Sequence, residues 1–316
     1  MAITDSIFKT IAYFDLFHYP VSADEIRKFL DTPATPFQVT AALDELLNKK
    51  QIFRFDEFYT LSNDASLIHR RRKGNEHAEE LLQIANRIGA KLYKFPFVKG
   101  VGISGSLSKN YADEGADIDF FIITQANRLW IARTLLHCLK KISYLTGKQH
   151  WYCMNYFIDE EALLMTEKNI FIATEVLTLK PVSGSDCMDT FFEVNNWANA
   201  YFPNYGEQDP AIHHNTGRSW FKQLAEPIFN NRLGDWLDNY LMHVTGRRWA
   251  RKEKRHKVNM KGNPMALRVA KHFGRPDPEH FQKRILDMLE NKLRELTNKH
   301  GAQLTDEDYF LRKEII

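Results

Sequence analysis

The chain has 316 residues, 44% apolar and 26% charged, with 43 Lys and Arg against 40 Asp and Glu for a formal net charge of +3. That length allows two or three domains, and the composition excludes a disordered or fibrous chain, while the charge is too small to demand a nucleic-acid partner. No apolar run approaches a membrane span, and Asp5, Lys9 and Asp15 interrupt the first 20 residues, which argues against a secretory signal and for a cytoplasmic location without membrane contact. Cys138, Cys153 and Cys187 lie in apolar stretches with no C-x-x-C spacing, so they are expected to be buried free thiols of a reducing compartment.

In chain order, Ile7, Ile11, Phe14, Leu16 and Phe17 form a helical apolar stripe that stops at Tyr19 and Pro20. A capping box at Ser22 and Glu25 opens a helix over 26–30, and a second at Thr35 and Gln38, with Pro36 at the first helical position, opens one over 39–47. Residues 51–61 (QIFRFDEFYTL) alternate around Asp56 and Glu57 as a two-stranded hairpin would. Three helices and a hairpin over 1–64 resemble a winged helix. Its candidate recognition helix carries Asp44 and Glu45 in the middle and Lys49 and Lys50 only at the end, whereas a major-groove reader presents a cationic face. Packing or substrate docking is therefore favoured over DNA binding. A connecting helix is expected over 65–95, with the basic run 69–73 (HRRRK) as its solvated face and a polyanion contact as the alternative.

The strongest chemical signal follows. Residues 102–109 (GISGSLSK) end the apolar run 97–103 in a small turn, and 115–124 (GADIDFFIIT) place Asp117 and Asp119 two apart at the head of a β-branched and aromatic stretch. In a strand, positions two apart share a face. Carboxylates side by side repel unless a cation lies between them, and oxygen ligands suit a hard ion such as magnesium. Ser104, Gly105 and Ser106 supply a turn whose backbone can approach a phosphate, with Ser108 and Lys109 as further phosphate contacts.

An apolar strand, a Gly-Ser turn and an acid-x-acid strand in this order resemble the nucleotidyltransferase superfamily of the DNA polymerase β type. The resemblance covers about 97–159. It implies an α+β fold with a mixed-sheet nucleotidyltransferase core over 96–165, one or two Mg2+ ions on Asp117 and Asp119, and a nucleoside triphosphate, ATP being the expected form, at Ser104, Gly105 and Ser106. Family members place a third carboxylate on a later strand. Here 151–158 (WYCMNYFI) is the candidate strand, and its middle carries Asn155, not an acid. Asp159, at its end, is the candidate catalytic carboxylate, with a capping acid as the equal alternative; Asn155 is assigned to nucleotide or acceptor contacts.

Beyond the core, 166–316 is expected to be a helical domain, with helices over 170–179, 188–200, 225–244 and 281–296 and a loop at 181–186. The basic run 247–257 (RRWARKEKRHK) is open to two readings, a rim for a phosphate-rich partner or a solvated helix end. Adjacent His213 and His214 are assigned no metal.

The resulting expectation is a magnesium-dependent transfer of a nucleoside monophosphate to an acceptor hydroxyl on a small molecule, protein or RNA. Two alternatives stand beside it: a degenerate relative that binds nucleotide without turnover, and a winged-helix DNA-binding regulator with a ligand-sensing second domain.

Overall fold

The computed structural model describes residues 2–206, 219–255, 267–276 and 281–300. Its first unit runs through α1 (Ile3–Asp15), β1 (Val21–Ser22), α2 (Ala23–Lys28), α3 (Pro36–Asn48), β2 (Phe53–Phe55) and β3 (Phe58–Thr60). Both capping boxes form: the Ser22 and Thr35 hydroxyls accept from the third helical N–H, and Glu25 and Gln38 reach back to the cap N–H. The short strands pair antiparallel in the order β1-β3-β2, closing a core of Ile7, Ile11, Ile26, Leu30 and Leu43.

The long helix α4 (Ser66–Tyr93) then leads into β4 (Val98–Ile103), the one-turn α5 (Gly105–Ser108), β5 (Asp119–Thr124), α6 (Leu129–Ser143) and β6 (Cys153–Asp159). After these come α7 (Ile170–Thr178), β7 (Lys180–Ser183), α8 (Ser185–Val194), α9 (Trp220–Phe229), α10 (Arg232–Lys254), β8 (Leu267–Val269), β9 (Phe273–Pro276) and α11 (Gln282–His300). The fold is α+β, with one six-stranded mixed sheet in the order β7-β4-β5-β6-β9-β8. Only β5 and β6 run parallel, and α6 is the crossover between them. Alternation along β5 sends Phe120 and Ile122 into a core with Leu81 and Ile88 of α4 and Leu136 of α6, and sends Phe121 and Ile123 to the other face, against Val176 of α7 and Phe191 of α8.

The expectation of a helical domain from 166 onward needs correction, because β7, β8 and β9 all belong to this sheet. Residues 181–183, expected as part of a loop, belong with Lys180 to β7, which pairs with β4. Pro181 and Gly184 gave the loop signal, yet β7 is an edge strand, where a proline is tolerated. Gly184 lies at φ +83°, and a Cβ there would stand 2.0 Å from the Lys99 carbonyl oxygen, so it turns the chain from edge strand into α8 where no side chain fits. Helix over 225–244 is also broken: Asn231 caps a new helix by accepting from Leu233 and Gly234 N–H.

The basic run on α4 is solvated as expected at His69, Arg72 and Lys73, while Arg71 is buried, and its cations 70–73 are each ion-paired. Arg70 meets Asp113 at 2.7 Å, Arg71 meets Glu25 at 2.8 Å, Arg72 meets Asp56 at 2.9 Å and Lys73 meets Glu114 at 3.4 Å. The Arg71 guanidinium also lies 3.7 Å over the Tyr19 ring, and the Tyr19 hydroxyl donates to the Lys109 carbonyl at 3.1 Å. The first unit is thereby fixed against the loop that carries the Gly-Ser turn.

Gly184→Ala adds left-handed strain and a backbone clash, so urea denaturation is expected to show a loss of about 2–5 kcal/mol; an unchanged midpoint contradicts the edge-strand geometry.

Candidate nucleotide and metal site

The Gly-Ser turn and Asp119 meet because the β4–β5 ladder continues past β4. Ser104 N–H donates to the Asp119 carbonyl at 2.9 Å, locking the turn at the level of the acid. Gly105 takes φ +70°, and a Cβ on it would stand 3.0 Å from Asp119 Oδ2. Glycine is thus needed twice, for the left-handed conformation and for the approach of the carboxylate.

Asp117 lies just ahead of the formal start of β5, on backbone that is already extended. The neighbouring Ile118 is buried, its N–H donates to the His150 carbonyl at 3.0 Å, and its own carbonyl accepts from Cys153 N–H at 3.2 Å. Both acids border one buried thiol: burial pushes Cys153 up to about 12, with Asp119 the larger and Asp117 the smaller electrostatic contributor. Cys153 is the strand partner of Asp119, and Asn155, beside a register shift in β6, donates from Nδ2 to Asp119 Oδ1 at 3.3 Å.

The turn and Asp119 open on a cleft with two lobes. One, of about 250 Å³, is walled by Ser104, Asn155, Phe121, Phe171 and Phe191. The other, of about 480 Å³, is walled by Ser106, Lys109, Tyr13, Tyr19 and Arg70, so the first unit closes its side. Gly105, Asp119 and Glu175 border both lobes.

Two assigned residues, Asp159 and Ser108, have other roles, and a third, Lys109, is held by its neighbours. Asp159 is fully buried at the far end of β6, beside Thr124 and five residues along β5 from Asp119, about 17 Å away at strand rise. It accepts from Asn127 N–H and Glu161 N–H at 3.0 Å each and contacts His272 Nδ1 at 2.9 Å. It is a capping acid, and the catalytic assignment is withdrawn. Ser108 is buried, donating back to the Gly105 carbonyl at 2.8 Å, so its hydroxyl braces the turn from behind. Lys109 borders the cleft with its ammonium held by Glu175 at 2.7 Å and the Gly105 carbonyl at 3.1 Å.

Glu175 was not singled out in the sequence. It is the only charged residue of α7, and a lone acid in an otherwise apolar helix was the available signal. Burial, and then Glu175 itself, push the Tyr13 phenol upward, placing that hydroxyl close to the same carboxylate.

Among the described residues no group of three or more His, Cys, Asp or Glu side chains is placed to hold an ion. Asp119 borders both lobes of the cleft and Asp117 stands two residues before it, lining neither; hard oxygen donors of this kind suit magnesium, which binds through one or two carboxylates, retains waters and takes its remaining ligands from substrate phosphates. Cys138 departs from expectation in being exposed, because its position on α6 points away from the sheet, while Cys187 is half-buried and pushed up to about 12, mainly by burial. The basic run begins in α10; its last two residues, 256 and 257, lie outside the described residues, as do His213 and His214.

Comparison of the chain with models of protein families, with curated proteins and with solved structures gave no match.

Asp159→Ala is expected to cost about 3 kcal/mol in denaturant unfolding through its unpaired donors, while magnesium-nucleotide affinity stays within about twofold; loss of affinity at full stability reverses this assignment. Thiol titration of the folded chain is expected to give one fast group, Cys138, and two slow ones, Cys153 and Cys187. Fast reaction of Cys153 contradicts its burial.

Proposed function

We propose that this chain is a magnesium-dependent nucleotidyltransferase that transfers a nucleoside monophosphate from a triphosphate, ATP being the expected form, to an acceptor hydroxyl. The observation that carries this reading is the fit of Asp119 against the left-handed Gly105, which joins a turn accessible to phosphate with an acid pair suited to a cation. The arrangement of the first unit, three helices with a β1-β3-β2 sheet, supports a winged-helix-like domain that serves as a cleft wall.

In this reading Asp117 and Asp119 hold magnesium, which when bound neutralises phosphate charge and polarises the α-phosphorus for attack. Ser104, Gly105 and Ser106 grip the β- and γ-phosphates. Ion-pairing with Glu175 keeps Lys109 at the back of the turn, where its charge favours the triphosphate. The acceptor oxygen attacks the α-phosphorus, a new P–O bond forms as the bond to the β-phosphate oxygen breaks, and pyrophosphate leaves. The proton passes to water, since Asn155 stands at the mid-strand position of the expected base and can orient an acceptor but not deprotonate it. Alignment then supplies most of the rate.

A second reading, a nucleotide-binding relative without turnover, is favoured by the same Asn155 and by the distant position of Asp159. The regulator reading is weakened because Arg71 of α4 is consumed in pairing Glu25 and Tyr19.

Calorimetry with Mg-ATP is expected to show binding by the native chain and its loss, on the order of a hundredfold, in Asp117→Ala with Asp119→Ala. Equal binding by the double variant refutes the site. Binding without incorporation into any acceptor supports the second reading.

A further inference from the structure

Two neighbouring helices turn their large apolar side chains to water. In α9 the usual amphipathic arrangement is inverted. Its Lys222 ammonium donates to the Val98 carbonyl at 2.7 Å and its Glu226 carboxylate accepts from Phe97 N–H at 3.0 Å, so both charges face the protein. Trp220, Leu224 and Ile228, spaced four apart along the opposite side, stand exposed. A helix that is polar inward and apolar outward is built for a neighbour on its outer side.

The same holds for the first half of α10. Leu237, Leu241 and Met242 pack on the core beneath it, while Leu233, Trp236, Tyr240 and Val244 form an exposed stripe on its outer side. Over these turns the helix is apolar on both sides, which is the pattern of a buried helix. Trp236 and Tyr240 stack on each other with ring centres 5.7 Å apart and planes 11° from parallel. Rings held in this way lose little freedom on meeting a partner.

The inner sides of α9 and α10 share one core, with Phe229 packed beside Leu237 and Leu241, so the outer sides make one continuous face. With Trp220 72%, Trp236 62% and Tyr240 54% exposed, the three rings leave roughly 400 Å² in water. Leu224, Ile228, Leu233 and Val244 bring the face to on the order of 800 Å², above the roughly 300–600 Å² of the largest patch on an ordinary monomer. A stable complex buries about 800 Å² on each partner.

Charge selects among partners. Between Leu233 and Gly246 the only exposed Asp, Glu, Lys or Arg is Asp235, which Arg128 pairs at 2.6 Å. Cations resume at Arg247, beyond the apolar stripe. Such a face can meet its own copy without opposing like charges when the two α10 helices run antiparallel, because the basic runs then lie at opposite ends. An acidic bilayer is held by cations along the flank of an apolar helix face, whereas the exposed flank here carries Asn239 and His243.

We propose that the α9–α10 face is a two-fold interface through which two copies of this chain associate, with Trp236 and Tyr240 at its centre. It lies on the Phe120 and Ile122 side of the sheet, opposite the cleft that holds Asp119, so both clefts of the pair stay open. The inference is independent of the nucleotidyltransferase reading.

Sedimentation velocity of the full chain tests it. Twice the chain mass is expected at about 10 µM and above, equally at about 0.1 and about 0.5 M NaCl, because salt does not screen apolar contact. Trp236→Glu with Tyr240→Glu sets carboxylates against their own copies across the axis and is expected to weaken association at least about 100-fold, with native far-UV circular dichroism. Leu224→Glu with Ile228→Glu, on the other helix, has the same effect. Phe37→Glu, at an exposed ring of α3 in the first unit, leaves the dimer intact. A native chain that is monomeric at about 100 µM overturns the proposal, and so does a dimer that both double variants preserve. Binding of a monomeric chain to phosphatidylcholine vesicles containing phosphatidylserine, lost in Trp236→Glu with Tyr240→Glu, assigns the face to a membrane surface and likewise overturns it.

Discussion

The approach of Asp119 to the backbone of Gly105 is the constraint on which the candidate site depends. Strand β4 can deliver a turn to the neighbouring acid only if residue 105 has no Cβ and accepts a positive φ. The ladder bond from Ser104 N–H to the Asp119 carbonyl fixes the height of that meeting, and the Ser108 hydroxyl closes the turn from behind. Every other element of the site is placed with respect to this contact: Asn155 and Cys153 lie on the adjoining strand, and Lys109 and Glu175 stand behind the turn.

Around it, the distribution of charge divides the molecule. Carboxylates of the first unit and of the loop ahead of Asp117 absorb the cations of α4, so that unit is held as a wall of the cleft. Between α6 and α10 the compensation is, among the described residues, confined to the start of α6, where Arg128 pairs with Asp235 and Asp238 accepts from Ile131 N–H.

Much of this was legible because local chemistry and tertiary structure agree. The capping boxes at Ser22 and Thr35 satisfy helix N–H groups wherever the helices are placed, and the apolar stretch after Asp119 forms a strand, β5, as its β-branched and aromatic residues imply. What the sequence hid was long-range. Pro181 and Gly184 look like a loop because an edge strand tolerates both, and nothing local announces that 180–183 will pair with 101–103. Asp159 looked catalytic because a strand-end acid does not reveal which end of the sheet it occupies; parallel pairing with β5 sets it opposite Thr124. Glu175 becomes part of the site only through the packing of α7 against the cleft. Basic runs were equally ambiguous, since pairing by Glu25 or Asp113 depends on the fold and not on neighbours in sequence.

The central claim is that the backbone of Gly105 and the carboxylate of Asp119 form one nucleotide-binding unit. Its most direct test is the Mg-ATP dissociation constant of Gly105→Ala, determined beside its unfolding free energy. A methyl group there displaces the carboxylate, and the account predicts affinity lowered on the order of tenfold or more with only about 1–2 kcal/mol lost in stability. Native affinity in a folded Gly105→Ala chain contradicts it.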